Sequence, residues 1–133
     1  MPRTRSRLAT ALTLLSACAG EPPRVSSVAP PFDPGAPPPE LSEGAQNFLA
    51  FCSGCHGNAG AGFENGPPLL HARYLPEVFP DSSVRRAILS GAPARHWPFD
   101  AMPPIRALPA DRIPAVIGYL RWVQGRWTAQ PAS

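Results

Sequence analysis

The 133-residue chain contains no lysine, only two methionines and only three cysteines. Its N-terminal apolar stretch, Leu8 to Ala17, runs for just ten residues. Each shortage excludes something. A bilayer core needs about 20 consecutive apolar residues, so this stretch is too short to span one. Without lysine, the formal charge of +3 rests on arginine alone, and Arg3, Arg5 and Arg7 all precede the apolar stretch. Beyond residue 17 nine arginines face nine acids, so the basic pI does not point to nucleic acid. Three cysteines fall short of two zinc knuckles. The length allows one small domain plus tails.

What is present begins with an address. Three arginines followed by a ten-residue apolar stretch read as a secretory signal. The stretch ends Leu15-Ser16-Ala17-Cys18, which resembles the bacterial lipoprotein cleavage box. The resemblance implies removal of residues 1–17, lipidation of Cys18 and stable anchoring through two or three acyl chains. Ala19 stands where an aspartate often retains lipoproteins at the inner membrane, which favours the outer membrane. An ordinary cleaved signal with an incidental Cys18 is the alternative. Residues 18–40 then carry eight prolines and little to build a core. They read as a semi-rigid spacer that at ~3.1 Å per residue reaches up to roughly 70 Å.

The chemistry sits in Cys52-Ser53-Gly54-Cys55-His56. Cys-x-x-Cys-His is the attachment pattern of c-type haem. Two thiols three positions apart can form thioethers with the two vinyl groups of one porphyrin, and the adjacent histidine then aims its imidazole at the iron. Export of the chain agrees with this, because c-type haem is attached outside the cytoplasm. A thioredoxin-like dithiol would want a βαβ context, and no strand-rich pattern surrounds the motif. Zinc would want further ligands.

The flanks predict helices. Leu41, Ala45, Phe48, Leu49 and Cys52 recur at helical spacing behind Ser42 as N-cap. Asp81 is the expected cap of a helix over 82–90 closed by Gly91. Asp111 is the expected cap of a helix bearing Ile113, Val116, Ile117, Leu120 and Val123, with Pro114 at its third position. These give an all-α domain over 41–128, with a short tail at 129–133. Three short helices make a poor core alone, and a buried porphyrin would supply apolar mass.

Over roughly residues 41–127 the chain resembles the class I cytochrome c family. Gly44, Phe48 and Cys52 stand four apart, as in the family's N-terminal helix, and Tyr119 matches the aromatic partner on its C-terminal helix. Gly66-Pro67-Pro68-Leu69 is similar to the segment whose proline carbonyl, here that of Pro67, accepts the N–H of the haem histidine. Ala101-Met102-Pro103 resembles the Met-Pro that supplies the sixth ligand. The resemblance implies a cytochrome c fold of three to four short helices around one covalent haem c. It also implies His56 and Met102 on the iron, and single-electron exchange with redox protein partners rather than a small-molecule substrate. Met1 leaves with the signal, so Met102 is the one methionine left to bind iron. Met/His ligation raises the potential relative to bis-His.

The expected protein is thus a periplasm-facing, membrane-tethered electron carrier, or the cytochrome subunit of a dehydrogenase or oxidase. It is not itself an enzyme. The alternative is a haem enzyme or gas sensor with an open sixth site. His96, six residues before Met102, is a rival distal ligand, and His71 is the remaining histidine. Phe63, Leu69, Leu70, Ile105 and Leu108 are expected to line a pocket. Arg73 and Arg95 are candidates for propionate contacts, and Trp97 for a contact at the ligand loop.

Overall fold

The computed structural model describes residues 32–130. The expected signal peptide, Cys18, most of the spacer and the last three residues lie outside them. Among the described residues the fold is all-α, with helices α1 (Ser42–Phe51), α2 (Ser53–His56), α3 (Asp81–Ser90) and α4 (Ile113–Thr128) and no named strand. Single 3-10 turns occur at Pro39–Leu41, Asn58–Gly60 and Ala72–Tyr74. No helix there is long and apolar enough to cross a membrane.

The frame is the crossing of α1 and α4. Its contact point is Gly44, where an added Cβ would overlap the carbonyl oxygen of Ala115. Hydrogen in place of a methyl group lets the two backbones approach. One turn further on, the rings of Phe48 and Tyr119 meet with centroids 5.5 Å apart and planes tilted by 58°. Ile113, Val116, Ile117, Leu120 and Val123 bury the facing stripe of α4, and Val84 and Ile88 bring α3 to it. Each such side chain contributes about 1.5–3 kcal/mol on burial. Phe32 also packs on this core and Pro34 is buried, so the end of the proline-rich stretch lies against the domain.

The caps differ from the sequence expectation. Ser42 is the first residue inside α1, because the turn at Pro39–Leu41 runs straight into the helix and shifts its start. Its hydroxyl instead accepts from Gln46 Nε2 at 3.3 Å. Asp81 opens α3 without capping it, since Pro80 holds the extended N-cap position. The Asp81 carboxylate accepts from Arg121 Nε at 2.8 Å, so a partner 40 residues away outcompetes the local amides. At α4 the N-cap is Arg112, not Asp111, and Pro114 falls within the first two helical positions, not at the third. There its missing N–H costs nothing. Arg112 instead pairs with Glu43, joining the N-terminal ends of α4 and α1 on the surface.

Candidate functional site

Where α1 ends, the chain turns once more through α2. The amides of Cys55 and His56 donate to the Cys52 carbonyl at 3.2 and 2.9 Å. Residues at i, i+3 and i+4 of a helical turn share one side, so both thiols and the imidazole face together. Cys52 is half-buried and Cys55 exposed, and both are free. Burial pushes the Cys52 thiol up to about 11, with the Cys55 charge adding to the rise. At neutral pH it is therefore a thiol, unlike the lowered thiolates of disulfide exchange or zinc sites. Among the described residues no three of His, Cys, Asp or Glu converge on a possible metal position.

His56 is only 9% exposed. Burial lowers its pKa, and the bond to Pro67 opposes that shift only in part. Its Nδ1 lies 3.0 Å from the Pro67 carbonyl oxygen. A carbonyl can only accept, so Nδ1 carries the proton and Nε2 keeps its lone pair. Among the described residues Nε2 has no hydrogen-bond partner. Nε2 is thus a neutral, oriented nitrogen donor.

Met102 sits on a second loop. Its amide donates to the Ala92 carbonyl at 2.8 Å and its carbonyl accepts from the Ala92 amide at 2.9 Å, a two-bond bridge across the loop. Ile105 N–H donates to the last turn of α3 at Ile88, 2.8 Å away. Gly91 makes the bridge possible. It has φ +80° and ψ 175°, a region open essentially to glycine, and its missing Cβ would lie 2.5 Å from the Met102 carbonyl oxygen. Gly91→Ala should therefore cost about 2 kcal/mol from backbone strain. Hydrogen exchange should show the Met102 amide losing protection first, and unchanged exchange would count against the bridge as the loop's anchor.

The structure brings Cys52, Cys55, His56 and Pro67 together, and holds Met102 on a different loop by its bridge to Ala92. His96 is exposed, with Nε2 3.4 Å from Arg73 Nη1. His71 Nδ1 accepts from the Arg73 amide at 3.1 Å, and its ring meets Trp97 edge-on at 5.3 Å. Trp97 in turn donates to the Tyr74 hydroxyl at 3.1 Å. Of the expected pocket residues, Leu70 and Leu108 are buried, Leu69 and Ile105 pack on the core, and Phe63 is 55% exposed. Phe63 stands out because it opens the tight 63–66 turn, where its backbone rather than its ring makes the bridge to Gly66.

Sequence reasoning missed one polar network. Gln124 and Arg121 of α4 hold the carbonyls of Leu69, Tyr74 and Phe79. The signal was available, since Gln124 follows Ile117 and Leu120 by seven and four residues, on the apolar stripe.

This donor set fits a haem c: two thiols on one helical face, a neutral imidazole with Nε2 free, and a methionine on a restrained loop. An all-α domain with an α1–α4 crossing ahead of such a turn is a c-type cytochrome domain, the class that carries haem for electron transfer. The family model described as Cytochrome C oxidase, cbb3-type, subunit III matches residues 39–120, and the chain belongs to that family. Neither the search of curated proteins nor that of solved structures gave a match.

Proposed function

We propose that the chain is a monohaem cytochrome c, tethered by lipid at Cys18 and facing the periplasm, that passes single electrons between redox protein partners. The observation that carries this reading is the buried His56 with its Nδ1–H held by Pro67. When bound, the haem supplies one-electron exchange at its iron. The residues do the rest. Cys52 and Cys55 would hold the porphyrin through thioethers, and His56 Nε2 would bind the iron on one side. Met102 would close the other side, leaving no position for a substrate. The Pro67 carbonyl fixes the imidazole plane and raises its basicity. The matched family's description as an oxidase subunit supports a place within an oxidoreductase assembly. Methionine and histidine as iron ligands would suit a high-potential carrier.

The test is direct. After acid-acetone denaturation, the exported protein should keep haem peroxidase stain on a gel, and Cys52→Ala or Cys55→Ala should lose both stain and folded protein. Intact mass of the membrane fraction should correspond to a chain from Cys18 plus acyl groups. Loss of stain from the wild type would end the haem reading, and a freely soluble chain starting at Ala19 or later would end the anchor.

A further inference from the structure

Gln124 is 1% exposed, on a helix face otherwise made of Ile, Val, Leu and Tyr119. An apolar side chain would fill that space without the cost of desolvating an amide. The amide has a use, however. Its Nε2 donates to the carbonyls of Leu69 and Tyr74, each at 3.0 Å, and its Oε1 accepts from Arg121 Nη1 at 2.7 Å. Arg121 holds the far part of the same loop through Tyr74 O, Phe79 O and Asp81. Leu69 is fixed from its other side as well, because its amide donates to Gly60 O at 2.7 Å.

Two residues before Leu69 lies the Pro67 carbonyl that holds His56 Nδ1 at 3.0 Å. The link between them is Pro67-Pro68. Proline fixes φ, and a residue before proline is confined to extended ψ. A stiff link of this kind transmits a displacement at Leu69 to the Pro67 carbonyl.

We propose that Gln124 is a positioning residue for the His56 imidazole, acting through the Leu69 carbonyl and the rigid Pro67–Pro68 link. The proposal rests on the reading that His56 binds the haem iron. A well-placed carbonyl acceptor makes an imidazole more electron-donating and favours the oxidised metal. Releasing Leu69 loosens that acceptor and shifts the redox balance towards the reduced form.

The experiment compares Gln124→Met, which keeps length and removes both donors, with Val123→Ala, a core truncation on the same helix at a side chain 0% exposed. Gln124→Asn, which keeps the amide but shortens its reach, covers the case where Gln124→Met does not fold. Haem-loaded full-length protein is poised at a fixed ambient potential, and the oxidised-to-reduced ratio is read from the spectrum. Partners of a ligating histidine are worth 10–100-fold, so Gln124, one step further out, should move the ratio by about threefold or more. Gln124→Asn should move it the same way by less. The His56 Nδ1–H and Leu69 amide should also exchange faster by NMR. Val123→Ala should lower the melting temperature and leave the ratio and the Nδ1–H resonance alone. If both Gln124 variants behave like Val123→Ala, Gln124 is a packing residue and the proposal is overturned. Absence of covalent haem from the wild type would instead overturn the functional reading beneath it, which the gel stain reports separately.

Discussion

Substituting Met102 by alanine should abolish the weak red-end charge-transfer band of the ferric protein and open the iron to carbon monoxide. It should also lower the reduction potential by on the order of 0.1 V, a fraction of the about 0.8 V over which axial ligands set haem potentials. The expectation follows from the proposed ligand set and from where the structure leaves the alternatives. His96 is exposed beside the Arg73 guanidinium, while Met102 is half-buried and pinned at both its amide and its carbonyl. Pro103 and Pro104 restrict the chain immediately after it. A loop ordered in advance loses little entropy when its sulfur binds, which matters for a weak donor. Optical titration and carbon monoxide binding to the reduced variant are the measurements. Retention of both the band and the potential would assign the sixth site to another group.

Alanine at Gly44 should destabilise the domain sharply. Helix propensity argues the other way, since alanine is worth about 1 kcal/mol over glycine inside a helix. The added Cβ meets the carbonyl of Ala115, however, which is backbone and cannot swing aside. Overpacking of this sort costs about 1–3 kcal/mol and occasionally more. With the clash dominant, a net loss of ~2 kcal/mol corresponds to a fall in melting temperature of roughly 8–16 °C. Gly125 supplies the control, because an added Cβ there meets nothing within 4 Å. Gly125→Ala should gain about 0.5–1 kcal/mol from propensity alone. Thermal unfolding followed by far-ultraviolet circular dichroism separates the two. Equal responses at both sites would mean that α1 and α4 do not cross at Gly44.

The helices α1 and α4 were legible in the sequence because each rests on local spacing, while their crossing at Gly44 and the pairing of Phe48 with Tyr119 came through resemblance. Gly44 and Phe48 lie one turn apart, and the stripe from Ile113 to Val123 repeats with the helical period. The Cys52–His56 turn was legible for the same reason. The proximity of His56 to Pro67 came through resemblance, since no local rule joins residues 11 apart in a loop. The cap at Ser42 was misjudged because a local turn runs into the helix, and the cap at Asp81 because a distant residue competed. Asp81 is taken by Arg121, and Glu43 is matched with Arg112 across 69 residues, pairings that exist only once the helices have packed. Gln124 hid in plain view: one polar letter on an apolar stripe signals a buried demand for donors, but not which carbonyls make it.

Phe32 and Asp33 lie beside Arg126, Ala129 and Gln130, so the described chain starts and finishes at a single corner, around the last turn of α4. Neither the Cys52–His56 turn nor the Ala92–Met102 bridge borders that corner. For the tethered carrier proposed above, that corner is where the tether would join the domain. The turn and the bridge would then lie clear of the junction, and a fusion at the C-terminal end would crowd the tether rather than either of them.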